Sequence, residues 1–112
     1  MDGISLTDLV DEQLAAADQA HSGRSSRTVH GGHESALRQT VVALAAGQVL
    51  GEHESPGEAT LQVLRGRVRV TAGEQAWDGA AGDYLVIPPA RHDLTALEES
   101  AVLLTVVTGS RD

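Results

Sequence analysis

The side chains with most chemistry to offer are the histidines, His21, His30, His33, His53 and His92. An imidazole titrates near neutrality, so it can take or give a proton, and its neutral ring is a good ligand for divalent metals. His53 and His92 each end a strand-like stretch punctuated by glycine or proline: Gly47-Gln48-Val49-Leu50-Gly51-Glu52-His53-Glu54-Ser55, and Gly82-Asp83-Tyr84-Leu85-Val86-Ile87-Pro88-Pro89-Ala90-Arg91-His92. If both rings face one cavity, mutual repulsion keeps at least one neutral near pH 7, leaving a base beside an acid. That pair suits proton transfer, isomerisation or a lyase step. Two imidazoles alone make a marginal metal site, because a catalytic metal usually has three or four protein ligands. Glu58, Ser55 and His33, the last in the Gly31-Gly32-His33-Glu34 turn, are placed to supply more, although Glu58 has the wrong strand parity unless a bulge re-aims it. His21 and His30 read as solvent-exposed histidines in or beside polar loops.

Composition removes several alternatives. Among 112 residues there is no cysteine, which excludes a thiolate nucleophile, a disulfide framework, a cysteine-type zinc site and an iron–sulfur cluster. The basic residues are all arginine and the formal charge is −8, so no amine is available for Schiff-base chemistry and a phosphate backbone is a poor partner. The sequence holds no glycine-rich phosphate loop ending in lysine, no Gly-x-Ser-x-Gly elbow and no His-Glu-x-x-His pair. Met1-Asp2-Gly3-Ile4-Ser5 resembles neither a signal peptide nor a membrane span, which predicts a cytoplasmic protein with no membrane partner.

The elements that must position these histidines follow from the hydrophobic pattern. Leu6, Leu9, Val10, Leu14 and Ala17 share one face of a 3.6-residue repeat, and Ser5 followed by Asp8 resembles a capping box, predicting a helix over residues 6–20. Beyond the polar break His21-Ser22-Gly23-Arg24-Ser25-Ser26 the pattern turns to short runs rich in Val, Leu and Thr. It predicts strands near residues 27–30, 37–45, 49–53, 59–64, 67–71, 75–77, 84–87, 92–96 and 101–107, an all-β sandwich or barrel. The division is residues 1–25, helix and linker, and residues 26–112, the β-domain. Arg65, Arg67 and Arg69 alternate with Val68 and Val70, which predicts three guanidiniums on one solvated strand face. Pro56-Gly57 reads as a turn with Gly57 free to take positive φ, and Pro88-Pro89 stiffens the approach to His92. Trp77 and Tyr84 fill core or interface space.

The two glycine-led stretches together resemble the paired motifs of the cupin family. In the first motif Gly47, His53 and Gly66 fall in register, while Ser55 and Ala59 stand where that family carries a second histidine and a glutamate. In the second, Gly82 and Pro88 match and Ala90 replaces a glycine. Shortening the turn after Pro89 aligns His92 with the motif histidine, whereas strict counting selects Asp93. The resemblance spans about residues 36–107. It implies a double-stranded β-helix, a jelly-roll barrel of two facing antiparallel sheets, here preceded by one α-helix. It further implies a homodimer, and an interior that holds a divalent metal on three histidines and one glutamate. With those ligands depleted, the cofactor expected is none or one divalent ion, Zn, Ni, Mn or Fe, on His53, His92, Glu58 and His33. Two functions follow: binding of a small metabolite in a barrel with a degenerate metal site, or a small isomerase, lyase or dioxygenase using His53 and His92 as catalytic groups.

Overall fold

The structure, a computed structural model, describes residues 1–53 and 57–107, excepting the side chains of Glu52 and His53. A helix, α1 (Leu6–Gln19), precedes nine strands: β1 (Arg24–His30), β2 (Leu37–Leu44), β3 (Val49–His53), β4 (Ala59–Arg65), β5 (Arg67–Ala72), β6 (Gln75–Ala80), β7 (Tyr84–Val86), β8 (His92–Ala96) and β9 (Ser100–Val107). The strands form two antiparallel sheets, β1-β2-β9-β4-β7 and β3-β8-β5-β6. Each predicted strand is present. The largest extensions are at β1, which begins three residues earlier at Arg24, and β6, which runs on to Ala80.

Alternation along the strands builds the interior between the sheets. Leu61 and Val63 of β4, Val68 and Val70 of β5, Leu94 and Ala96 of β8 and Val102 of β9 are buried together, with Leu44 and Ile87. Burying a Leu, Ile or Val side chain stabilises a fold by roughly 1.5–3 kcal/mol. In β2 four consecutive residues, Val41 to Leu44, are buried. The cause is cover on both faces: Val42 and Leu44 point into the barrel, while Val41 and Ala43 pack beneath α1.

Helix α1 begins where the Ser5 side chain accepts a hydrogen bond from the Asp8 amide at 3.1 Å, satisfying one of the amides that a helix start leaves unpaired. It lays Leu9, Val10, Leu14 and Ala17 against Val41, Ala43 and Ala101 on the outer face of the five-stranded sheet. Polar ties fix its azimuth: Arg65 reaches Asp11 at 2.9 Å, Arg27 faces Glu12 at 4.0 Å, and the Ser25 hydroxyl donates to Gln13.

The arginine stripe is corrected by the structure. Gly66, at φ 85°, turns the chain from β4 to β5, so Arg65 ends one sheet while Arg67 and Arg69 lie on the other. All three are solvated. Arg69 stands directly opposite Asp78 and contacts both its carboxylate oxygens, at 2.7 and 3.0 Å. That hydrogen bonding holds the Asp78 carboxyl below the usual carboxylate range and raises the Arg69 guanidinium above its own. Beneath the Gly66 turn the buried Ser100 hydroxyl accepts from the Arg67 amide at 3.0 Å, and its proton lies between the carbonyls of Glu98, at 2.7 Å, and Arg67, at 2.9 Å.

Candidate functional site

The pairing places every histidine except His21 at one end of the barrel. His30 ends β1, His33 lies in the β1–β2 connection, His53 ends β3 and His92 begins β8. His53 and His92 are register partners on adjacent antiparallel strands, after a shift in register beyond Leu50. Two residues far apart in sequence are thus backbone neighbours; the His53 side chain lies outside the described residues.

His92 is 4% exposed, and it shares the inward face of β8 with Leu94 and Ala96, whereas Asp93 is half-buried on the other face. The inward position therefore belongs to His92 rather than Asp93. The Pro88-Pro89 step explains how it is held. A tight turn closes with the Ala90 amide donating to the Pro88 carbonyl at 2.8 Å, and the Ala90 carbonyl lies 2.8 Å from His92 Nδ1. A carbonyl oxygen can only accept, so Nδ1 carries the hydrogen, and in the neutral ring the lone pair sits on Nε2. This is the arrangement in which an imidazole acts as a base, a hydrogen-bond acceptor or a metal ligand. The Ala90 carbonyl was invisible to a search by residue type, since it is a backbone group; its only signal was the proline pair that builds the turn.

Glu58 and His33 are not assembled around His92. Ala59, at the place of the family glutamate, is buried in the barrel core and offers a methyl group. Glu58 is exposed, and its carbonyl accepts from the Val107 amide at 2.9 Å. Among the described residues the register shift in β4 lies between Val63 and Arg65, at the other end of the strand from Glu58. It lines a cavity of about 440 Å³ with Thr60, Tyr84, Val86 and Val107, on the outer side of the sheet. His33 is exposed. Ser55 and Pro56 lie outside the described residues. Gly57 is not among the positive-φ glycines; its role is close approach, since a Cβ there would come within 2.6 Å of the Val107 carbonyl oxygen.

A divalent metal is tested by these donors. Among the described residues no group of three or more His, Asp or Glu side chains is close enough to hold an ion. The described donors alone do not make up a site of three or four ligands, and the side chains of Glu52 and His53, with Glu54 and Ser55, lie outside the described residues. His92 has the tautomer of a ligand, but the glutamate place holds Ala59 and the nearby Glu58 faces outward.

The aromatics separate. Tyr84 is exposed on the outer sheet face. Trp77 packs against the barrel core, and its ring lies over buried Gly79, where a Cβ would collide with it. With Val70, Leu85, Pro88 and Gln75 it lines a cavity of about 240 Å³ between the sheets. Among the described residues no helix is long and apolar enough to cross a membrane.

Two facing antiparallel sheets, with an inward histidine opening β8 beside the last residue of β3, define a cupin-type barrel. Residues 40–108 match the family described as Cupin domain, and the chain belongs to that family. It is similar to a conserved protein of unknown function from Streptococcus pyogenes, at 32% identity and TM-score 0.72, over 82% of this chain and 80% of that one. A cupin-2 domain containing protein from Shewanella frigidimarina superposes with TM-score 0.70 at 19% identity, over 94% of each chain. A variant of salicylate 1,2-dioxygenase from Pseudoaminobacter salicylatoxidans gives TM-score 0.73 at 21% identity, over 91% of this chain but 33% of that one. The last two likenesses concern the fold alone. No curated protein matches the chain.

Proposed function

We propose that this cupin barrel binds a small metabolite at the end where β3 and β8 meet, with His92 as the principal polar contact. The observation that carries the reading is the inward, buried His92 whose Nδ1 is committed to the Ala90 carbonyl. A hydroxyl or protonated amine of the ligand would donate to the imidazole, on the inward face of β8 that His92 shares with the core residues Leu94 and Ala96. The same ring can accept a proton from a bound ligand, which is the route by which the barrel would act as an isomerase or lyase without a metal.

The test combines metal content with ligand screening. Protein purified without added metal is expected to contain well under one divalent ion per chain by elemental analysis. Thermal-shift hits from a panel of small hydroxy- and amino-metabolites should weaken by about tenfold or more in His92→Ala, the cost of one buried hydrogen bond, with circular dichroism unchanged. Near-stoichiometric metal lost from both His53→Ala and His92→Ala would overturn the reading in favour of a metalloenzyme. Hits indifferent to His92→Ala would remove His92 from the site.

The reading includes a homodimer. Leu37, Tyr84, Val86 and Val107 are exposed, and a second copy covering them would remove an apolar strip from water. Light scattering should give twice the chain mass; a clean monomer at micromolar concentration would sink the dimer.

A further inference from the structure

We infer that the seam between β1 and β3 is a second binding site, one for a small amphipathic carboxylate. Strands β1 and β3 are edge strands of different sheets. A cavity of about 390 Å³ opens there, lined by Ser22, Arg24, Ser25, Ser26, Val42 and Leu50, within the volume range of roughly 300–1,000 Å³ usual for small-molecule sites.

Alternation along β1 decides what faces it. Ser25 and Arg27 are tied to Gln13 and Glu12 of α1, and Val29 packs under the same helix. Arg24 and Ser26 therefore turn the other way, toward the seam. The floor is apolar: Val42 is buried and Leu50 is half-buried, both in the barrel core.

Arg24 differs from its neighbours in charge pairing. Arg27, Arg65, Arg67 and Arg69 each have a carboxylate within 4.0 Å, and Arg24 has none among the described residues. The chain carries 16 acidic against 8 basic residues, so this is no shortage of carboxylates. A guanidinium beside hydroxyls, above an apolar floor, matches a carboxylate head with a short hydrocarbon body.

The turn that presents these groups is built firmly. The Ser22 hydroxyl accepts from the Arg24 amide at 3.3 Å and lies 3.4 Å from the Arg24 carbonyl. Gly23, buried at φ 69°, lets the Gln48 side chain press against it. Its carbonyl accepts from the Ala45 amide at 2.8 Å. The site is separate from the His92 end, since Arg24 pairs with Leu44 at the far end of β2 and Leu50 precedes the His53 position along β3.

An NMR titration of ¹⁵N-labelled protein with hexanoate tests the site, with n-hexanol and inorganic phosphate as comparison probes. Hexanoate should shift the amides of Arg24, Ser26 and Leu50 saturably. Arg24→Gln should weaken it by about tenfold or more, the loss of a charge-assisted hydrogen bond, while Arg38→Gln, at another exposed arginine with no carboxylate partner among the described residues, leaves it unchanged. Equal binding by Arg24→Gln and Arg38→Gln, or shifts centred on His92 or Trp77, would overturn the assignment. Phosphate binding as well as hexanoate would show that the apolar floor plays no part, and n-hexanol binding as well would show the same of the charge; either result defeats the proposal.

Discussion

Gly66→Ala should cost roughly 2–5 kcal/mol of folding stability, a large share of the 5–15 kcal/mol usual for a domain. Two costs combine. Gly66 sits at φ 85°, a left-handed conformation that costs an L-residue about 1–2 kcal/mol. A Cβ there would also meet the Glu99 carbonyl oxygen and the Ser100 hydroxyl, and would lie 2.8 Å from the Ser100 Cα. Backbone cannot yield as a flexible side chain would, so the β4–β5 turn must lift away from Ser100. That exposes or strands the buried hydroxyl that serves Arg67 and Glu98, at about 1–3 kcal/mol. Urea unfolding should show a lower midpoint with an unchanged slope. A loss under about 1 kcal/mol would mean that the turn relaxes freely and that the Ser100 contacts contribute little.

Leu14→Ala should cost about 2–4 kcal/mol, within the range for emptying a buried leucine site. Leu14 is 7% exposed and belongs to the cluster that joins α1 to Val41, Ala43 and Ala101. Helix and sheet share that cluster, so the loss should appear in a single cooperative transition followed equally by far-ultraviolet circular dichroism and by Trp77 fluorescence. Trp77 is the chain's single tryptophan and lies in the other layer, against the barrel core. Helix signal lost at a lower denaturant concentration than the Trp77 signal would show α1 to be an independent cover instead.

What was legible in the sequence divides along physical lines. The helix and all nine strands could be read because Leu9, Val10, Leu14 and Ala17 keep a helical period while Ala59, Leu61 and Val63 keep a strand period, and burial enforces both. The arginine stripe misled because side-chain alternation continued unbroken through Gly66; the positive φ that ends β4 there is a backbone property. The placement of His92 inward could be argued only by aligning a motif across a shortened turn. The register that sets it opposite His53 depends on pairing between distant strands, which no local pattern encodes. The Ala90 carbonyl and the setting of Arg24, without a carboxylate neighbour among the described residues, were likewise out of reach, one for lack of a side-chain signature and the other because pairing is decided by tertiary distance.

The position of β9 has a consequence for how the chain is made. It lies between β2 and β4, pairing Leu37 with Val107 and Ala59 with Val106, and it also lies under α1. During synthesis, α1, β1 and β2 leave the ribosome long before the strand that joins them to β4. Until β9 emerges, β2 and β4 each keep an unpaired edge, the helix lacks part of its seat, and contacts so distant in sequence close slowly. The five-stranded sheet is therefore completed only once β9 has left the ribosome, and a chain that stops before residue 100 lacks the strand that joins β2 to β4 and forms part of the seat of α1.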